Sequence, residues 1–234
     1  MDILIWVKLL KKRPTLQSGA FSCGKGMNFV EKNKIIMKHF PRNLMILLAI
    51  LTATLIPISF LLAPTQGILA DKSKTLLANQ LYMDSFYVHV VLGGIALLIG
   101  WVGFIDKIRV KYLTFHKIAG RIYVFCFLIT ALTSILVSYH AYGGLVSQLG
   151  FMSVGIIAIF TTLKGFSAIL NRDILEHRAW MRYSYACCLA SVTLRLWNPI
   201  LGLFIADYLL IYRVDSWLSW IPNLLFVKLY LNKK

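Results

Sequence analysis

Five runs of about 20 mostly apolar residues divide this chain, at roughly 44–63, 86–105, 118–140, 148–170 and 180–203, and a sixth, shorter run covers about 215–231. A helix needs about 20 such residues to cross the hydrocarbon core of a bilayer. Within that core each backbone N–H and C=O must be satisfied inside the segment, which leaves helices or a closed barrel. The runs are too long and too continuous for barrel strands. They predict an all-α fold, a polytopic integral membrane helix bundle of about six transmembrane helices over residues 44–231. Composition agrees, because 15% of the 234 residues are charged and 59% hydrophobic, whereas a soluble domain carries about 25% charged residues. Trp217 and Trp220 open the sixth run and Pro222 is expected to kink it. Residues 204–214 fit either an extension of the fifth helix or an interfacial turn.

The net charge is +16, from 25 Lys and Arg against 9 Asp and Glu. In a soluble protein this excess would point to nucleic acid. Here the cations fall in short segments between apolar runs, which points to membrane orientation and anionic lipid headgroups, with no nucleic acid as partner. Lys8, Lys11, Lys12, Arg13, Lys25, Lys32, Lys34, Lys38 and Arg42 precede the first run. Lys107, Arg109, Lys111 and Lys117 follow the second, and Arg172, Arg178 and Arg182 follow the fourth. Lys233 and Lys234 end the chain. The loop near 64–84 balances Lys72 and Lys74 with Asp71 and Asp84, and "AYGGLVS" at 141–147 has no charge. Every basic segment thus falls on one face, so both termini are expected in the cytoplasm. Residues 1–43 form a basic N-terminal arm, read as an interfacial helix or a partly disordered segment, with Met27 and Met37 as alternative starts.

Ionisable groups at membrane depth are costly and so are functional candidates. His89 is expected one turn into the second span and His140 at the end of the third, both at the outer face. His116 opens the third span and His177 precedes the fifth, both at the inner face. Two histidines on neighbouring helices at matching depth are what a b-type haem needs for its axial ligands. Gly93, Gly94 and Gly120, one turn from His89 or His116, would leave room for a flat macrocycle or let two helices pack closely. The bland alternative is that these histidines meet headgroups or hydrogen-bond at helix ends. Arg195, within the fifth span, either snorkels to the outer headgroups or meets a bound anion such as a haem propionate or lipid phosphate. Asp207 and Asp215 are the outer-side acids downstream of it.

Other chemistry is sparse. Cys126, Cys187 and Cys188 lie inside apolar runs, and the four cysteines, Cys23 included, show no metal-ligand spacing. The chain lacks a nucleophile elbow, a zinc-protease motif, a phosphate loop and a dinucleotide fingerprint. In "NRDILEHRAWMRYSY", residues 171–185, Asp173 and His177 are spaced i to i+4, as a pair or as a helix cap beside a surface contact.

The stretches "FYVHVVLGGIALLIGWVGF", "FHKIAGRIYV", "YGGLVSQLGF", "TTLKGFSAILNRDILEHRAWMRYSYA", "ASVTLRLWNPI" and "WLSWIPNLL" together resemble a bacterial family of multispan membrane proteins catalogued as a domain of unknown function (DUF2306). The resemblance covers about residues 80–226 and implies a multi-pass protein of the bacterial inner membrane. It also implies that His89, His116, Gly120, Arg121, Gly144, His177, Arg178, Trp180, Met181, Arg182, Arg195 and Asn223 occupy recurrent positions of the family. At His140, a small or apolar residue is usual. No activity comes with the resemblance, and likeness to two-haem transmembrane cytochromes b is one of architecture alone.

Two functional readings follow. In the first, His89, His140, His116 and His177 hold b-type haem at the two faces, and the protein exchanges electrons with a quinone or another redox partner. In the second, it is a non-redox binding or transport protein. Arg121, Arg178 and Arg182, with His116 and His177, then grip an anionic lipid or substrate at the cytoplasmic face, and Arg195 holds an anion near the outer one. A purely structural role, stapling two helix ends together, is the bland alternative for the inner residues.

Overall fold

The apolar runs become helices. A computed structural model describes residues 47–60, 62, 69–70 and 72–231, and all regular structure among them is helical. The expectations for the arm at 1–43 lie outside the described residues. Helix α1 spans Leu47–Phe60 and α2 is the single turn Lys74–Leu77. Helix α3, Gln80–Gly100, runs on into the 3-10 turn Trp101–Phe104. The short α4, Asp106–Lys111, is followed by α5, Leu113–Ser138, and α6, Leu145–Leu170. The fifth run forms α7, Ile174–Cys188, and α8, Ala190–Gly202. The last run forms α9, Tyr208–Leu218, and α10, Ile221–Phe226, and closes on the π-helical turn Val227–Leu231. Three segments are long and apolar enough to cross a membrane: Gln80–Phe104, Leu113–Ser138 and Leu145–Leu170.

Capping side chains move several boundaries outward from the apolar runs. Asn79 accepts the Tyr82 N–H at 3.2 Å, so α3 begins at Gln80 rather than near residue 86. His89 therefore lies about 14 Å along the helix by its rise per residue, much deeper than one turn. Asp173 accepts the Glu176 N–H at 2.9 Å, which starts the fifth helix at Ile174. The stretch 171–185 is accordingly helical except for Asn171, Arg172 and Asp173, and Arg172 takes the left-handed conformation (φ 63°) at the turn. Asp207 caps α9 through Leu209 N–H at 2.9 Å. Residues 203–207 are thus a turn, and the last helical segment starts before residue 215. Its break falls at Trp220 (φ −126°), with Pro222 in the first turn of α10, where a missing N–H costs nothing.

Small residues set the helix spacing, since lipid-exposed helices associate by close packing rather than by expelling water. A Cβ on Gly94 would stand 2.8 Å from the Ala53 carbonyl oxygen, and one on Gly150 would stand 2.7 Å from Ser216 Oγ. Gly94 thus serves the contact of α1 with α3. A buried polar knot joins α5, α6 and α7: Ser184 Oγ lies 2.8 Å from both Tyr123 Oη and Thr162 Oγ1. Beside it Tyr185 Oη donates to the Leu97 carbonyl at 3.2 Å, which ties α7 to α3. Cys126, Cys187 and Cys188 are buried thiols, packed as small apolar groups. At the charge-poor end, Arg213 Nε donates to Gly143 O at 2.9 Å and Trp217 Nε1 to Val146 O at 3.1 Å. These bonds pin the uncharged 141–147 loop to α9, and Gly143 (φ 95°) and Gly144 (φ 70°) supply its turn.

Candidate functional site

Packing around small residues leaves a half-open cavity of about 830 Å³ in the bundle, walled by α1, α3, α5, α6, α7, α8 and α9. It reaches from Tyr82, Ser138 and Tyr208 at the charge-poor end to Leu97, Ala158 and Cys187. Along α5, Ser138 to Phe127 marks about 16 Å of depth by the helical rise. Its walls are mainly apolar, with hydroxyl side chains and Lys72 among them, and four further polar side chains line it: His89, Arg195, Asn198 and Asp215. They come from three helices, α3, α8 and α9, so only the folded bundle brings them together.

His89 Nδ1 donates to the Thr130 carbonyl at 3.0 Å. That bond puts a proton on Nδ1, so that in a neutral ring Nε2 is an acceptor. Arg195 lines the same cavity as His89, and its Nη1 donates to Ser191 O at 2.5 Å. Asp215 is 2% exposed, and its Oδ1 is buried without a hydrogen-bond partner. Asn198 lines the same cavity. Among the described residues the one ion pair is Arg109 with Asp106, so Arg195 and Asp215 share a cavity without neutralising each other at contact distance. A cation and a half-satisfied carboxyl in one apolar chamber are costly unless something polar lies between them.

His140 is placed elsewhere. Its ring packs edge-on to Tyr82 with centroids 5.4 Å apart, and Tyr82 precedes His89 by about two helical turns. Lys72 Nζ donates to the His140 carbonyl. His89 and Arg195 thus line one cavity, while the His140 ring packs on Tyr82.

A second group gathers at the basic end. His116 stands near His177, Arg109 and Arg178. Burial, then the Arg178 and Arg182 charges, hold the Arg109 guanidinium below its usual value. His177 Nδ1 donates to Gly165 O at 2.8 Å, and Arg182 Nη1 donates to Leu231 O at 2.6 Å. Asp173 is the cap of α7 rather than the partner of His177. Arg121 is exposed on α5. Arg109 stands near His116, and sequence reasoning missed it. The available signal was the i, i+3 spacing of Asp106 and Arg109 in a short polar helix set directly before His116.

A family described as predicted membrane protein (DUF2306) matches residues 86–231. The chain belongs to this family. The matched residues of this DUF2306 protein include His89, Arg195, Asn198 and Asp215, together with the whole basic-end group. No curated protein and no solved structure matches the chain.

Proposed function

We propose that this protein is a multi-pass inner-membrane protein that binds an amphipathic, acidic ligand inside its bundle, as a binding or transport protein. One observation carries the reading: a mainly apolar cavity of about 830 Å³ into which His89, Arg195, Asn198 and Asp215 converge. Ligand sites are typically apolar chambers of roughly 300–1,000 Å³ with a few placed polar groups. The ligand's apolar body lies along the α1 and α6 walls, its acidic group pairs with Arg195, and His89 Nε2 and Asn198 orient that group. The reading takes six spans with both termini in the cytoplasm. It counts α1, α7 with α8, and α9 with α10 beside the three long apolar helices, because the cations at 107–117 and 172–182 then share one face. The test is native mass spectrometry of the protein released from mild detergent, with titration of a fluorescent long-chain fatty acid as probe. The expected result is a co-purified amphipathic acid that the probe displaces. Ligand-free protein that also leaves the probe unbound at micromolar concentration rejects the reading.

A second reading is favoured by the histidine hydrogen bonds. Metal-ligating histidines usually donate their other ring N–H to a carbonyl or carboxylate. His89 and His177 both donate Nδ1 to a backbone carbonyl, which leaves Nε2 for iron. In this reading His116 and His177, from α5 and α7, hold a b-type haem at the basic end, and His89 holds another at the cavity with Arg195 for a propionate. Bound haem would supply one-electron chemistry for a quinone or another redox partner. Protein expressed with added haem is then expected to show a Soret band, lost at the inner site in His177→Ala. Absence of that band from haem-supplied protein removes this reading.

A further inference from the structure

Helix α9 and its C-cap turn one face to the cavity: Tyr208, Tyr212, Asp215 and Ser219, spaced i, i+4, i+7 and i+11, all line it. Around Tyr212 this wall is aromatic. Its ring centroid stands 5.6 Å from that of Phe151 and 6.4 Å from that of Tyr208. Asp215 follows one turn further along α9. It is 2% exposed, its Oδ1 has no hydrogen-bond partner, and it forms no ion pair among the described residues. Packing closes the rest of this turn: Ser216 and Ser219 are buried as well, and Gly150 brings α6 against Ser216. A partner for Oδ1 therefore comes from the cavity. The cations on the cavity wall are Arg195 and Lys72. Arg195 donates to Ser191 O and Lys72 to His140 O, and neither pairs with Asp215. A carboxyl oxygen withdrawn from water and left without a donor is costly.

We propose that Asp215, with the aromatic wall of Phe151 and Tyr212 beside it, is a subsite for a primary ammonium group, so that the cavity takes a zwitterionic amphiphile. This deepens the cavity reading and rests on it: the ligand's acid pairs with Arg195 and its ammonium with Asp215. A primary ammonium brings N–H donors to an oxygen that has none, and a charge-assisted bond is roughly twice as strong as a neutral one. Aromatic rings add attraction for a cation within about 6 Å of their centroids. A hydroxyl offers a donor without the charge, and a quaternary ammonium offers the charge without a donor. One zwitterionic ligand gives each of the two cavity charges a counter-charge that the protein itself does not supply.

The full chain in mild detergent is titrated with three single-chain phospholipids that share one acyl chain and a phosphodiester: lysophosphatidylethanolamine, lysophosphatidylglycerol and lysophosphatidylcholine. Native mass spectrometry reads each affinity. The ethanolamine lipid is expected to bind about tenfold or more tighter than the glycerol lipid, which carries hydroxyls in place of the ammonium. The choline lipid, without an N–H, falls between them. General attraction to a basic surface favours the glycerol lipid, which keeps a net negative charge, and so does not produce this preference. Asp215→Asn is expected to bring the ethanolamine lipid down to the level of the glycerol lipid and to leave the latter no weaker. Should that variant fail to fold, the order of the three lipids on the wild-type protein decides. Equal binding of the ethanolamine and glycerol lipids overturns the proposal, as does a choline lipid bound as tightly as the ethanolamine one. A preference that survives in Asp215→Asn overturns it too. Retention of the fluorescent fatty acid with none of the three lipids bound overturns the ammonium subsite alone, and loss of all four probes overturns the cavity reading with it.

Discussion

Gly100→Val is expected to lower the unfolding temperature of the detergent-solubilised protein by roughly 5–10 °C, equivalent to about 2–3 kcal/mol at this chain length. A Cβ at this position would stand 2.5 Å from Tyr185 Cε2 and 2.8 Å from Tyr123 Cε2, far inside ordinary contact. Neither ring can withdraw freely. Tyr185 Oη is bonded to the Leu97 carbonyl and Tyr123 Oη to Ser184, and both rings are buried in the core shared by α3, α5 and α7. Overpacking a close-packed core costs about 1–3 kcal/mol, and displacing either ring also strains the polar knot. The gain in helix propensity from glycine to valine is only a few tenths of a kcal/mol. Gly103→Val is the control, because a Cβ there meets nothing within 4 Å and the unfolding temperature should change little. Scanning fluorimetry of both variants decides the point. An equal change in the two would mean that the Tyr123–Tyr185 wedge does not hold these helices.

Arg195→Gln is expected to weaken retention of the cavity ligand by roughly 10- to 150-fold, since a hydrogen bond to a charged group contributes about 1.5–3 kcal/mol. Arg195→Lys keeps the charge without the planar fork and should fall between wild type and Arg195→Gln. Asp215→Asn separates this expectation from a structural one. If Arg195 and Asp215 chiefly neutralised each other, removing either charge would destabilise the fold by a similar amount, and the double variant would recover it. With a ligand acid on Arg195, Arg195→Gln loses the ligand at nearly unchanged unfolding temperature in ligand-free protein. Asp215→Asn, which replaces a buried carboxyl having one unpartnered oxygen, leaves that temperature equal or higher. Native mass spectrometry and fluorimetry on the three variants give the two patterns directly.

Much of the helical order was legible in the sequence. Membrane helices satisfy their backbone bonds internally, so each apolar run announces its helix without knowledge of its neighbours. The runs at 86–105, 118–140 and 148–170 became Gln80–Phe104, Leu113–Ser138 and Leu145–Leu170. Asn79 moves the start of the first of these, and Asp173 that of α7, because polar caps extend helices into segments that hydrophobicity alone reads as loop. The stretch 171–185 shows it most clearly: its charge reads as a hinge, yet from Ile174 onward it is helix, which puts Arg178 and Arg182 four residues apart on one face.

The candidate site was legible only as a list of costly residues. Sequence alone marked His89 and Arg195 as ionisable groups at membrane depth and named Asp215 among two acids downstream. It paired His89 with His140 on matching apparent depth, and depth counted from an apolar run misses the two turns by which α3 extends. Tertiary packing decided the rest. Glycine contacts at 94, 100 and 150 set the distance and rotation of neighbouring helices, and rotation determines which side chains face one chamber. Hydrophobicity along a chain fixes that a segment spans, because burial in lipid depends on the segment's own composition. Which of its faces looks inward depends on the shapes of other helices, and so His89, Arg195, Asn198 and Asp215 become neighbours only in the folded bundle.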